Sequence, residues 1–462
     1  MSSYDQANAL LRSLVERCDD GFGLGTMSAS IYDTAWVALV SRTVDNKTHW
    51  VFPESFDFIY NSQAPDGSWP GDGSVVDSII NTLACLLALK RHEQAGLDDT
   101  YIDLSERCDK AIAALNRDLQ KWDVASTERV AFEIIVPSIF ESLEKDGIKF
   151  NFSERSLLYK LYNHKLKKVN WEIIYERRTT VLHSLEAFVG KCDFDRLAHH
   201  TRSGSLMASP SSTAAYLTHA SKWDDESEAY LRHVIEKCKA YGYGSVCCAW
   251  PTTIFEFSWV SLFPFSLAKE KLTLYLQSIS NLIESGFERE KLDQPSLNHI
   301  GEILHCALTA EKGVIGCAPD FGSDADDTAK AITALRYIGK PFPFDALLKT
   351  FELPTHFQCF PFERNPSLSA NCNVLIALLR YPEPAKYSSQ ILKTATYIAH
   401  EYWTTEGIVR DKWASISLHR FTMDTDTFAV APFAMVRRAA RRPRPSPFPP
   451  SPWSRPFRRC HS

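Results

Sequence analysis

The chain lacks the cysteine spacing of metal knuckles and redox proteins. Its 12 cysteines include no C-x-x-C pair and no Cys/His cluster at zinc-finger spacing, so they read as reduced, mostly buried thiols. It also lacks a bilayer-length hydrophobic run: the longest nearly apolar stretch, residues 79–89, falls well short of the ~20 residues that span a membrane. The opening Met-Ser-Ser-Tyr-Asp-Gln has neither the basic and apolar regions of a secretory signal nor the Arg/Ser-rich character of an organellar leader. A cytoplasmic location is the expectation. Strand-like alternation of apolar and polar residues is scarce, which argues against a β-rich fold. There is no excess of positive charge either. The formal net charge is −5, and because eight arginines crowd the acid-free segment 437–462, the rest of the chain is more acidic still. Such a body excludes nonspecific nucleic-acid binding.

What is present is a helical pattern on a chain long enough for a large core. With 462 residues and 45% hydrophobic content, two or three domains are expected. Apolar residues recur at three- and four-residue intervals over 81–90, 107–119, 229–241, 326–337 and 388–402, the period of amphipathic helices. Proline, glycine and asparagine punctuate 65–73, 203–212, 242–251 and 339–343, predicting ordered loops. The pattern predicts an all-α architecture of at least two helical domains. From Arg437 seven prolines join the arginines, a composition that builds neither helix nor core, so a disordered tail is expected.

The segment Asp320-Phe-Gly-Ser-Asp-Ala-Asp-Asp-Thr-Ala-Lys-Ala-Ile-Thr-Ala-Leu335 places three carboxylates in four residues at the start of an Ala-rich helix. One reading is capping, with Asp324 as N-cap and Asp326 and Asp327 complementing the helix dipole. The other starts from crowding. Three carboxylates beside an apolar cavity do not all ionise cheaply, so one keeps a proton, and the helix N-terminus favours the anion left when that proton departs. Such a group suits protonation of an alkene.

Other segments select between these readings. Ser28-Ala-Ser-Ile-Tyr-Asp-Thr-Ala-Trp-Val37, Gln63-Ala-Pro-Asp-Gly-Ser-Trp69, Ile80-Asn-Thr-Leu-Ala84, Leu182-His-Ser-Leu-Glu186, Ser209-Pro-Ser-Ser-Thr-Ala214 and Phe357-Gln-Cys-Phe-Pro-Phe-Glu-Arg364 stand in that order around D-A-D-D. Together they resemble the class II diterpene cyclases, specifically the copalyl diphosphate synthase half of bifunctional fungal enzymes, over residues 25–413. The resemblance implies conversion of geranylgeranyl diphosphate to a copalyl-type diphosphate in diterpenoid biosynthesis. It makes Asp326 the general acid, with Asp324 and Asp327 tuning its proton. It makes His183, of L-H-S-L-E, the base that takes the final proton and leans towards the ent product. The family's asparagine partner for that histidine falls at Cys248, counted back from Pro251-Thr-Thr-Ile-Phe-Glu256, which is a departure.

Lys165 matches a diphosphate-contacting lysine of the family. Magnesium is the implied cofactor, with Glu133 as the candidate ligand and Asp123 and Glu128 as the only acids just upstream; Asp324 and Asp326 are the alternative ligands. The aromatic patch Trp250, Phe255, Phe257 and Trp259 reads as core, and the motifs at 32–36 and 63–69 as structural turns.

For architecture the resemblance implies two α/α-barrel domains of the terpene cyclase class II fold: residues 1–47 open a β domain, 48–265 form an inserted γ domain, 266–436 complete β, and 437–462 are tail. Asp326 would face His183 and Lys165 across a cavity between the domains. A class I α domain is expected to be absent, since the only D-D-x-x-E, at Trp223-Asp-Asp-Glu-Ser-Glu228, reads as a helix start. The product would then keep its diphosphate and pass to a separate class I terpene synthase. Likeness fades after Asp411-Lys-Trp413, which raises a truncated or inactive fragment as an alternative. A triterpene-type class II cyclase is another, and a helical scaffold or prenyl-binding module a third.

Overall fold

The structure is a computed structural model; it describes residues 2–404 apart from 19–20, 46, 72–73, 97–100, 102, 128, 259–285, 319–320, 362 and 364. The described helices, in order, are α1 (Ser3–Arg17), α2 (Ile31–Val37), α3 (Pro53–Asn61), α4 (Val75–Gln94), α5 (Leu104–Leu119), α6 (Phe132–Lys145), α7 (Arg155–Leu166) and α8 (Trp171–Glu176). A 3-10 segment, Thr180–Phe188, precedes α9 (Pro210–His219), α10 (Asp225–Cys238) and α11 (Thr253–Ser258). Then come α12 (Gln294–Ala310), α13 (Ala325–Ile338), α14 (Asp345–Phe351), α15 (Leu368–Leu379) and α16 (Ser388–Thr404). The strands among the described residues form two antiparallel ribbons, Ser41–Val44 with Lys47–Trp50 and Thr201–Arg202 with Ser205–Leu206. The all-α expectation holds. None of the described helices is long and apolar enough to cross a membrane.

Side-chain oxygens mark where many helices begin. Ser2, Ser30, Ser74, Ser209, Asp224, Asp293, Asp324 and Ser367 each accept a backbone N–H from the first turn of the helix that follows, satisfying a donor the helix itself leaves open. Asp224 does so in the D-D-x-x-E stretch, accepting from Glu226 and Ser227, so that stretch starts a helix. All five periodic segments read from the sequence lie in helices. The loop expected over 203–212 ends early, because Pro210, suited to a first helical position, opens α9.

Two large cores organise these helices. The first runs from Tyr32 to Trp250 and is built on α4, whose residues 83–89 are all buried because α2, α5 and α6 pack around it. The second joins α1 to the later helices through Leu11, Leu14, Ile254, Leu304, Ile332 and Val374. A smaller cluster around Leu182, Leu197 and Leu206 lies under the 3-10 segment. The cores therefore change over between Leu24 and Tyr32, and again between Trp250 and Ile254. The buried face of α2 packs on α4 and α9. The 265/266 and 436/437 boundaries, the tail, Trp259 and Glu128 lie outside the described residues.

The two strands of chain that pass between the cores are stitched together. Ser30 N donates to Val246 O at 2.8 Å and Thr252 N to Leu24 O at 2.8 Å. Both the amide and the hydroxyl of Thr26 donate to Glu256 Oε1, at 3.0 and 2.6 Å. Farther off, the turn at 63–69 is structural: the buried Trp69 donates its indole N–H to Ile59 O at 2.8 Å.

Candidate active site

The D-A-D-D segment is held from both sides. Asp324 N donates to Ile315 O at 3.1 Å and Ala325 N to Cys359 O at 3.0 Å. Cys359 belongs to the 357–364 motif, where the Glu363 carboxylate accepts the N–H groups of Cys359 and Phe360 at 2.9 and 3.2 Å. Asn371 brackets Phe357, accepting its N–H and donating to its carbonyl, both at 2.8 Å. The distant motif thus fixes the turn that carries the acids.

Capping and acid chemistry coexist here. Asp324 is the N-cap of α13, accepting Asp327 N at 2.7 Å. Solvent-exposed caps would be ionised and inert; Asp324, Asp326 and Asp327 are instead 3%, 7% and 6% exposed. Burial, then the charges of Asp324 and Asp326, push the Asp327 carboxyl well above the usual carboxylate range. Asp326 Oδ1 accepts from Asn373 Nδ2 at 2.7 Å. Nothing in the sequence reading singled out Asn373. The available signal was a pair of asparagines, Asn371 and Asn373, in the first turns of the otherwise apolar α15.

Neighbouring residues come from the smaller cluster and the first core. His183 Nδ1 lies 2.8 Å from Met207 O. A carbonyl only accepts, so Nδ1 carries the hydrogen and Nε2 the lone pair. Burial lowers the imidazole's pKa, which keeps it neutral. The ring meets Phe321, three residues before Asp324, edge to face at 5.1 Å. Cys248, where the asparagine was expected, keeps an accessible thiol although burial and the nearby Asp33 charge push it up to about 12. Cys317 is half-buried, and burial, then the charges of Asp327, Asp324 and Cys248, pushes its thiol up. The structure therefore brings His183, on the 3-10 segment of the smaller cluster, and Cys248, in the first core, near the Asp324–Asp327 turn of the second.

Lys165 and Glu133 are brought to each other: Lys165 Nζ is 3.2 Å from Glu133 Oε1, with the glutamate buried at the start of α6. Arg129 pairs with Asp77 at 2.7 Å and its charge reaches Asp33 and Cys248. Asp123 accepts Ser126 N at 3.0 Å, a turn contact. Among the described residues no group of three or more Asp, Glu, His or Cys side chains is placed to hold a metal. Trp250 and Phe257 are buried in different cores, the indole N–H of Trp250 donating to Phe22 O at 2.9 Å.

Three buried carboxyls at the start of one helix in a mostly helical chain accord with the class II terpene cyclase fold. No family model matches the chain. It is 46% identical over 419 residues to the bifunctional premutilin synthase of Rhodocybe pseudopiperita, an alignment covering 89% of this chain and 42% of that protein. It is 44% identical over 417 residues to the copalyl diphosphate synthase of Talaromyces verruculosus, covering 89% of this chain and 41% of that one. Among solved structures, ent-copalyl diphosphate synthase from Arabidopsis thaliana in complex with (S)-15-aza-14,15-dihydrogeranylgeranyl thiolodiphosphate superposes with a TM-score of 0.68 at 25% identity. That match covers 89% of this chain and 54% of the other. The chain is similar to these diterpene cyclases over most of its own length and spans 42% and 41% of the length of the two curated relatives named here.

Proposed function

We propose that the chain protonates the terminal double bond of geranylgeranyl diphosphate and folds the resulting cation into the two rings of a copalyl-type diphosphate. The observation that carries this reading is the buried Asp324–Asp326–Asp327 cluster with Asn373 on Asp326 Oδ1. Asp326 is the donor. As its proton leaves, the carboxylate gains from the Asn373 N–H and from the α13 N-terminus. Like charges on either side keep the cluster from holding three anions, so a proton is retained at neutral pH.

His183 Nε2 is the group that takes a proton from the final cation; its neutrality and its fixed Nδ1–H support that role. Its presence favours the ent product, although Cys248 stands where the family's asparagine would. The walls near Cys248 and Cys317 keep the cation from water. Lys165 holds the diphosphate, and Glu133 fits a magnesium ion bound by one carboxylate together with substrate phosphate oxygens. In the free protein these two neutralise each other. Magnesium would supply charge neutralisation at the diphosphate, away from the ring-forming carbons. Asp324 and Asp326 suit a metal less well, since Asp324 Oδ1 already accepts Asp327 N and Asp326 Oδ1 accepts Asn373 Nδ2. The diphosphate survives, and a separate class I terpene synthase is the proposed consumer.

The test is to incubate purified protein with geranylgeranyl diphosphate and magnesium, dephosphorylate, and analyse the alcohols on a chiral phase. Copalol is expected; recovery of geranylgeraniol alone, or of a hydrocarbon with released pyrophosphate, refutes the reading.

A further inference from the structure

A second pair of buried acids lies behind His183, outside the D-A-D-D cluster. Asp33 and Glu186 are 5% and 2% exposed. Tyr32 OH donates to Glu186 Oε1 at 2.8 Å, Ser212 Oγ to Glu186 Oε2 at 2.9 Å and Ser30 Oγ to Asp33 Oδ2 at 2.6 Å. Three motifs far apart in sequence, at 28–37, 182–186 and 209–214, thus meet in one network. Among the described residues no lysine or arginine pairs with either acid; Arg129 reaches Asp33 only through space and is itself paired with Asp77. Two unneutralised carboxylates in such a place are costly, so the pair retains a proton. Burial, then the Asp33 charge, pushes Glu186 up to about 7, and burial pushes Asp33 up to about 6.

This network is tied to the histidine on two sides. Ser212 Oγ, besides donating to Glu186, accepts Leu185 N at 2.8 Å, and the neighbouring Thr213 Oγ1 accepts Leu206 N at 3.0 Å. Leu185 follows the kink at Ser184 (φ −138°, ψ 38°) beside His183, and Leu206 precedes Met207, whose carbonyl orients the ring. Met207 and Ala208 both adopt left-handed backbone, at φ 51° and 55°, a conformation non-glycine residues hold only when their surroundings insist. Trp250 N supplies part of that hold, donating to Ala208 O at 2.8 Å.

We infer that Glu186, through its buried hydrogen bonds with Tyr32 and Ser212, is a positioning residue that holds His183 in its proton-accepting orientation. This rests on the reading of His183 as the base. When both acids ionise, repulsion draws Glu186 away from Ser212, releases Leu185 N and loosens the kink beside His183. The titratable and charged groups around the pair are Tyr32 on α2, His183 on the 3-10 segment, Tyr230 on α10, Cys247 and Cys248 before α11, and Arg129 before α6. Burial holds the tyrosines and the Cys248 thiol neutral through this range, and the hydrogen bond with Cys238, then burial, does the same for Cys247, so the switch belongs to the carboxyl pair.

The test uses the full chain labelled with ¹⁵N-histidine, with the His183 signals assigned by their loss in His183→Gln. The wild type is expected to show the Nδ1–H tautomer of His183 at about pH 5.5 and averaged signals by about pH 8, as the pair passes above the ordinary carboxylate range. Glu186→Gln, which keeps the shape but not the second charge, is expected to hold the Nδ1–H tautomer throughout. Identical pH behaviour in the two proteins overturns the inference. In turnover, Glu186→Ala should lower kcat about tenfold with KM little changed; a lowered Tm with unchanged kcat and pH profile would reduce Glu186 to a structural role. Should the alanine variant not fold, the glutamine variant decides. Because the NMR readout needs no turnover, a protein that forms no copalol would refute the proposed function while the His183 tautomer still decides this inference.

Discussion

Asp326 and Asp327 are neighbours with different surroundings. Asp327 is forced towards its protonated form by burial and by the charges of Asp324 and Asp326, whereas Asp326 Oδ1 receives an N–H from Asn373, which, with Asp326 as the proposed donor, would steady the anion left behind. Replacing Asn373 by Ala removes that N–H donor, a loss of about 1–3 kcal/mol. We expect kcat for copalol formation to fall about 10- to 100-fold in steady-state assays while Tm moves little. The three aspartates and His183 were legible in the sequence because local crowding and motif order mark them. Asn373 was not, since it lies 47 residues from Asp326 and meets it only when α15 packs on α13. Cys248 was legible as a departure, but its shared neighbourhood with Cys317 was not.

Helix positions were largely readable, because the apolar period and the Ser and Asp caps agree. The boundaries between cores were not: α2 is short, and only its packing on α4 and α9 shows which core it joins. The 63–69 turn offers a clean test of a purely structural motif. Gly67 has φ 87°, and a Cβ there would stand 2.3 Å from Lys110 O, so Gly67→Ala should cost about 1–3 kcal/mol. Thermal denaturation should report that loss, with kcat unchanged at a temperature where the variant is folded. The Asp33–Glu186 network makes a pH prediction at the same scale. Both acids have raised folded-state values, so the folded protein binds more protons than the unfolded chain between about pH 4 and pH 7, and the pair's contribution is lost as pH rises through that window. Glu186→Gln removes part of that loss. Denaturant titrations should show the variant gaining on the wild type with rising pH, by on the order of 1–3 kcal/mol across the window; a pH-independent difference would contradict it.

At the scale of the molecule, the site exists only where two cores meet. Asp324, Asp326 and Asp327 come from the second core, Cys248 from the first and His183 from the smaller cluster, while the stitched segments near Leu24 and Thr252 hold the two large cores together. The central claim is that Asp326 delivers a proton to the substrate's double bond. A carboxyl proton exchanges with solvent, so the reaction should be run in D₂O with geranylgeranyl diphosphate and magnesium, and the dephosphorylated product examined by mass spectrometry. The account predicts copalol carrying a single deuterium, and its loss by at least about 10³-fold in a folded Asp326→Ala variant. Copalol free of deuterium, or labelled copalol formed at an undiminished rate by Asp326→Ala, would contradict it.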